Sequence, residues 1–546
     1  MTATPNIASH LAAMAQSQPD APALMFVESR ASDGSRVYAT RTFAQLEEDA
    51  NVIARGLSSL GIAPGTRVAL CLRPGVDFFA TTFALFKLGA VPVLIDPGIG
   101  MKNFGRCLDQ ATPAAFIGIP LAHAARRVLG WARKTARIHV TTGFFGGISL
   151  NKVRGLGRSA PPPLCAQVSD AAVLFTSGST GPAKGVLYTH ENFDAQIRAL
   201  KWEYKIEPGE RDLATFPLFG LFGPALGMTT IIPEMDFTRP GDVDPKNIIE
   251  PIQQLNITSL FGSPALIDRV GAWGVQNKIK LSSLKRVISA GAPVSPRVID
   301  RFASMLSPGV QLFTPYGATE SLPVCSIGSD EILGETGRMA NAGRGVCVGR
   351  PVGDMTVRII RISDGAIERW SDDLVLPVGE VGEIAVRGRV VTGSYYDRAD
   401  ATRRAKIADH AGGFWHRMGD VGYLDSQGRL WFCGRKSQRV RAADGDMFSM
   451  PVEGVFNSHD MVKRSALVGV GEIGHQRPVV CLELQPESKR VNRQVLMTHL
   501  LDLGARFDHT RGIRAFLVHP NFPVDIRHNA KIGREKLALW AARRLK

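Results

Sequence analysis

Ala171-Ala172-Val173-Leu174-Phe175 runs straight into Thr176-Ser177-Gly178-Ser179-Thr180-Gly181-Pro182-Ala183-Lys184-Gly185. A short apolar run ending in small and hydroxylic residues predicts a buried strand that opens into a loop. Small residues leave backbone N–H groups uncovered, the hydroxyls can donate, and Lys184 brings a mobile positive charge. That combination suits a loop closing over a polyphosphate. It is not a Walker A loop, because Lys184 is followed by Gly185 where Ser or Thr is required. Taken alone, such a stretch is more often a solvated turn, so its reading depends on the rest of the chain.

Outward from this loop the pattern is α/β. From about Thr42 to Ile95, helical stretches alternate with β-rich runs such as Arg67–Leu72 and Val91–Ile95, the rhythm of a parallel layer. The greasy stretch from Phe78 to Ile95 is broken by Lys87 and Gly89, so it reads as a helix over 77–87 turning at Gly89 into a strand, not as a membrane span. Arg154–Pro163, rich in Gly and Pro, reads as a connection. A second α/β series follows, with strands expected at Thr229–Ile232, Thr258–Phe261, Lys285–Ile288 and Gln311–Thr314. Short strands and turns from Thr356 to Tyr396, including Gly382–Arg387, predict a small sheet or barrel. Beyond Gly434-Arg435-Lys436 a fresh alternation (Ala466–Val470, Val479–Glu483, Ala515–Val518) predicts a small α+β domain.

Composition bounds the function. The chain has 546 residues, 45% hydrophobic and 21% charged, which suits a soluble globular enzyme of more than one domain. A formal charge of +15 favours anionic partners. No RNA- or DNA-binding motif accompanies it, so nucleic acid is not expected as a partner. The seven cysteines are scattered without a C-x-x-C, the pattern of buried reduced thiols in a cytoplasmic protein rather than of a metal cage or disulfide framework. Met1–Asp20 lacks a charged segment followed by an apolar core, so no secretory signal is read there. Gly469-Val470-Gly471-Glu472-Ile473-Gly474 is a literal G-x-G-x-x-G, but it leads into the β-rich Val479–Leu484 where a dinucleotide fingerprint needs a helix. It reads as a strand-end loop. Neither G-x-S-x-G nor H-E-x-x-H hydrolase motifs occur.

Several separated stretches fall into one order: Thr176–Gly185, Gly291-Ala292-Pro293, Tyr316-Gly317-Ala318-Thr319-Glu320, Gly419-Asp420, Gly434-Arg435 and Asn529-Ala530-Lys531-Ile532. Each is weak alone. Together, over nearly the whole chain, they resemble the ANL superfamily of adenylate-forming enzymes, which holds acyl-CoA synthetases, adenylation domains and luciferases. The resemblance implies a large N-terminal domain over 1–436 for ATP and acyl substrate, made of two parallel-sheet subdomains plus a small β-barrel. It implies a mobile α+β domain over 437–546 that carries Lys531.

The chemistry implied is carboxylate activation by ATP and Mg²⁺, releasing pyrophosphate and leaving an acyl-adenylate. By resemblance, Thr176, Ser177, Gly178, Ser179, Thr180, Gly181 and Lys184 would cradle the β- and γ-phosphates. Glu320 would hold Mg²⁺, a hard cation that prefers oxygen ligands. Thr319 would hydrogen-bond the α-phosphate. Tyr316 and Gly317, with Gly291, Ala292 and Pro293 opposite, would enclose adenine. Asp420 and Arg435 would take the ribose, and Lys531 would bridge the substrate carboxylate and α-phosphate.

Two departures narrow the resemblance. Gly220 stands where many acyl-CoA synthetases carry a histidine beside the acyl pocket, in an apolar run with Phe219, Leu221 and Phe222 that suits a bulky alkyl substrate or plain core packing. At the hinge, Ser437 replaces the usual acidic residue or lysine, a hint that thiol transfer is not the second step. With Thr314–Pro323 and Pro233–Pro240, these features look most like the β-lactone synthetases of bacterial long-chain olefin biosynthesis. That subgroup implies a β-hydroxy acid with two long alkyl chains, assembly with other enzymes of the pathway, and association with a membrane surface, which the net charge permits without demonstrating. A long-chain fatty acyl-CoA ligase is the alternative. His190 is a base for the hydroxyl only by proximity to the loop, and a structural role is expected for it.

Overall fold

The computed structural model describes residues 6–161, 168–175, 183–488, 491–524 and 532–545. Two largely parallel sheets form the body of the large N-terminal part. The first runs Ser394–Tyr395, Gly185–Thr189, Asp170–Phe175, Val91–Ile95, Arg67–Cys71, Ala115–Gly118, Ile138–Thr141, Ile148–Ser149 from edge to edge. It is parallel from Asp170–Phe175 onward. The second runs Gln311–Phe313, Arg286–Ile288, Ser259–Phe261, Arg211–Ala214, Thr229–Ile232, Pro22–Arg30, and ends on the antiparallel strand Arg36–Thr42. Fully buried apolar strands such as Ala115–Gly118 are what a sheet covered on both faces demands.

The helix Val76–Leu88 buries Phe78, Phe79 and Phe83, stops at Gly89 in a left-handed conformation (φ 71°), and the chain re-enters the sheet at Val91. Glycine carries no Cβ penalty there, so the turn is tight. The connection expected over 154–163 is instead largely helix, Leu150–Ser159, capped by Ser149 Oγ, which accepts from the Lys152 N–H. The second of its two glycines is a packing residue: a Cβ on Gly157 would stand 1.9 Å from the Val52 carbonyl oxygen. On the facing helix, Phe43–Ser59, a Cβ on Gly56 would stand 2.0 Å from the Val153 carbonyl oxygen.

The small sheet or barrel expected over 356–396 is part of an eight-stranded, antiparallel third sheet that reaches from Tyr316 to Arg435. Ser394–Tyr395 leaves it to pair with Gly185–Thr189 of the first sheet. The C-terminal part is a three-stranded sheet, Val462–Val470, Arg477–Leu484 and Ala515–Val518, packed with the helices Ser449–Asn457, Arg493–Ala505 and Arg534–Arg544. It closes on cores of its own, one around Leu467, Leu482 and Leu496 and another around Val479 and Leu537. The literal G-x-G-x-x-G lies at the hairpin turn between its first two strands. Among the described residues, six cysteines are free thiols, all buried but Cys71, which is half-buried. None of the described helices is long and apolar enough to cross a membrane.

Candidate active site

Open parallel sheets present their ligands at the carboxyl ends of the strands. Here those ends, the turn of the hairpin formed by Tyr316–Ala318 and Ser321–Ser326, and the third-sheet strands Phe414–Leu424 and Leu430–Arg435 enclose one cavity of about 600 Å³. Lys184, Gly291, Gly317, Thr319, Glu320 and Arg435 line its polar rim. Ala292 and Pro293 follow Gly291 without lining it. Thr176, Ser177, Gly178, Ser179, Thr180, Gly181 and Lys531 lie outside the described residues.

Tyr316 and Asp420 stand just behind the rim. The Tyr316 hydroxyl donates to Asp420 Oδ2 at 2.6 Å, and Arg435 Nη1 lies 2.9 Å from Oδ1. The carboxylate is buried, and the Arg435 guanidinium faces Oδ1 as an ion pair. Burial pushes the Asp420 carboxyl up, while Arg435 and Tyr316 pull it down.

Glu320 is held by residues to which no role was given from sequence. The Tyr395 hydroxyl donates to Glu320 Oε1 at 2.6 Å, and among the described residues it is the one side chain hydrogen-bonded to that carboxylate. Thr392 donates to the Glu320 carbonyl through its N–H (2.9 Å) and its hydroxyl (3.1 Å). Lys406 in turn donates to the Thr392 carbonyl, and burial pushes its amine down to about 7. Tyr188 donates to the Thr319 carbonyl at 2.5 Å. The Lys184 ammonium lies 4.8 Å from the centre of the Tyr395 ring. Tyr395 thus sits between the rim's lysine and its carboxylate.

Behind the rim the cavity is aromatic. Phe219 stacks on Phe261 at 4.3 Å, and Phe86, Phe193 and Phe222 continue the wall with ring centres about 6 Å apart. Phe219, Leu221 and Phe222 face this lobe. Gly220 does not: a Cβ there would meet Ala214 Cβ at 2.9 Å and Phe79 at 3.3 Å, on the core side of the segment. A histidine at this position would point into packed sheet, so its absence says nothing about carboxylate placement.

His190 is structural. It begins the helix His190–Glu203, is 4% exposed, and its Nδ1 accepts from the Ile7 N–H at 3.2 Å. Burial pushes it down to about 4, which suits a neutral core imidazole and not a base working near neutrality. Ser437 is exposed in the turn Lys436–Gln438. The lysine before it is tied to Glu383 Oε1 at 2.9 Å and to the Ser363 carbonyl at 2.7 Å.

The AMP-binding enzyme family model matches residues 11–396. The chain is 47% identical over 551 aligned positions to the olefin beta-lactone synthetase of Xanthomonas campestris pv. campestris, covering 99% of this chain and 98% of that one. It is 48% identical over 554 positions to the olefin beta-lactone synthetase of Stenotrophomonas maltophilia, with the same coverage. Among solved structures, an amide bond synthetase from Marinactinospora thermotolerans shares the fold with a TM-score of 0.78 at 21% identity, over 98% of this chain and 99% of that one. The chain belongs to the AMP-binding enzymes, on the branch that holds the olefin beta-lactone synthetases.

Proposed function

We propose that this chain adenylates a long-chain 2-alkyl-3-hydroxy acid with ATP and closes the product to a β-lactone. The reading is carried by 47–48% identity to two olefin beta-lactone synthetases across 99% of the chain. An aromatic lobe opening from a polar rim suits an acid with an alkyl body.

In the first step a carboxylate oxygen attacks the α-phosphorus, the bond to the bridging oxygen breaks, and pyrophosphate leaves with that electron pair. In the second, the substrate's β-hydroxyl oxygen attacks the acyl carbon and gives up its proton. AMP departs with an oxygen that began in the acid. A four-membered ring is strained, but the anhydride is an activated acyl donor and the attack is intramolecular, which offsets poor ring geometry.

The rim's task is positioning and charge stabilisation. Lys184 with the Thr176–Gly181 loop would hold the outer phosphates, Thr319 the α-phosphate, Asp420 and Arg435 the ribose. Tyr316, Gly317 and Gly291 would enclose the base. Glu320, an oxygen donor at the cavity held by Tyr395, fits a magnesium ion, which would supply positive charge against the phosphate oxygens when bound. Lys531 would bridge the carboxylate and α-phosphate, brought in by rotation of 437–546 about Ser437. The same reading places the protein beside other olefin-pathway enzymes.

The test is turnover of a defined β-hydroxy acid with ATP, with and without coenzyme A, the product identified by mass spectrometry and NMR. AMP, pyrophosphate and lactone are expected without coenzyme A. AMP release that needs coenzyme A and yields a thioester makes the protein a long-chain acyl-CoA ligase instead. Lys531→Ala is expected to abolish adenylation while nucleotide binding survives.

A further inference from the structure

At the far edge of the first sheet, opposite the Gly185–Thr189 side, an apolar surface is left uncovered. The helix Pro120–Leu129 buries His123 and turns Leu121 and Val128, seven residues apart and therefore on one face, out to solvent; Val128 is 83% exposed. Beside it the loop after Ile138–Thr141 carries Phe144, fully exposed, and Phe145. A soluble surface has no use for paired protruding phenylalanines.

The loop is built to hold them outward. A Cβ on Gly146 (φ 116°) would stand 2.3 Å from the His123 ring, and one on Gly143 would stand 2.4 Å from Pro120 Cγ. Both glycines press the loop base onto the helix, leaving the two rings as its tip. Arg127 stacks over Phe145 at 4.3 Å.

Charge says what the tip meets. Between Asp109 and Asp170 the sequence has no Asp or Glu, and eight Arg or Lys. Arg154 is paired with Asp49 and Asp77, but Arg127, Arg133, Lys134 and Arg137, all exposed, have no ion-pair partner among the described residues. An exposed apolar strip with Arg127 beside its rings, with Arg133, Lys134 and Arg137 at the far end of the same helix, and with no Asp or Glu in residues 110–169, matches a bilayer with anionic headgroups, where the rings enter the acyl boundary and the cations meet phosphates. An acidic protein partner would satisfy the cations but leave the narrow tip without a groove.

We infer that loop 142–147 and the helix Pro120–Leu129 form a docking surface for an anionic membrane. The loop lies at the carboxyl edge of the sheet, the same edge from which Asp96 lines the cavity. Docking would therefore bring the acid-binding edge toward the phase in which a long dialkyl acid dissolves. Only that last consequence rests on the proposed function.

The full chain, without ATP or acid, is sedimented with vesicles of phosphatidylcholine alone or mixed with phosphatidylglycerol. Binding is expected only to the mixed vesicles, weakening as salt is raised. Phe144→Ser with Phe145→Ser, and separately Arg133→Glu with Lys134→Glu, should each lower partitioning on the order of tenfold, with unfolding midpoints and ATP–pyrophosphate exchange unchanged. In a Phe144→Trp variant, brominated lipid should quench tryptophan fluorescence beyond the quenching of the parent. A parent that stays in the supernatant, or variants that bind like the parent, overturn the inference. So does a parent that self-associates through Phe144 while ignoring vesicles.

Discussion

Tyr395 and Glu320 belong to different sheets, and a single 2.6 Å hydrogen bond joins them. Tyr395 lies on the edge strand that pairs with Gly185–Thr189, directly after Lys184. Glu320 lies in the hairpin turn between Tyr316–Ala318 and Ser321–Ser326. Burial and the neighbouring Glu320 charge push the phenol up, so it remains a donor throughout the working pH range. The bond fixes the carboxylate relative to the lysine that shares its rim.

Replacing Tyr395 by phenylalanine keeps the buried ring and removes only that donor. A hydrogen bond to a charged group contributes about 1.5–3 kcal/mol. On the proposed role of Glu320, AMP release should fall about tenfold or more, and the magnesium concentration for half-maximal rate should rise. The KM for the acid and the thermal midpoint should hardly move. A magnesium titration identical to the parent's would remove Tyr395 from the positioning of Glu320.

How far the sequence reaches is clear from particular residues. Val91–Ile95, Thr229–Ile232, Gly382–Arg387 and Ala515–Val518 are strands at the expected bounds, because buried β-rich runs closed by turn residues carry their own signal. Tyr395 and Glu320 are 75 positions apart, and nothing local announces that they meet. Gly220 sits in the expected segment, but which way its missing side chain points is decided by Ala214 and Phe79 in other elements. The two glycines of the helix Leu150–Ser159 read as a connection, and the reason for one of them, Gly157, is a neighbouring helix about 100 positions away in sequence. The individual roles of the glycine loop and Lys531 come from resemblance alone.

That helix gives a paired prediction. Gly157→Ala places a methyl on the Val52 carbonyl oxygen, and overpacking of this kind costs about 1–3 kcal/mol or more. Gly155→Ala, two residues earlier, meets nothing within 4 Å and should stabilise by about 0.5–1 kcal/mol through helix propensity. Urea unfolding midpoints should move in opposite directions. Equal shifts would mean that the two helices are not in the close contact described.

Gly220→His tests the core-facing position. Against Ala214, Phe79 and Thr230, an imidazole has no space and no polar partner, so the variant should unfold at a lower temperature and make no thioester from coenzyme A. A stable Gly220→His protein with new thioester-forming activity would put the side chain in the acyl pocket after all.

Asp212 carries the clearest dependence of stability on pH. It sits inside the second sheet, its register partners being Thr230 and Ser259, and burial pushes its carboxyl up to about 7 against the pull of Ser259 and Arg286. In the unfolded chain the same group titrates at about 4. Between those values the folded protein keeps a proton that the unfolded chain has released, so this group's contribution is full below about pH 4 and is lost as pH rises through about 7. Asp212→Asn is neutral at every pH and nearly the same shape. It should therefore be more stable than the parent at about pH 8, with the difference shrinking steadily toward about pH 4. Paired unfolding curves across this range measure it directly, and a difference that stays constant or grows on acidification would show that Asp212 is charged in the native sheet.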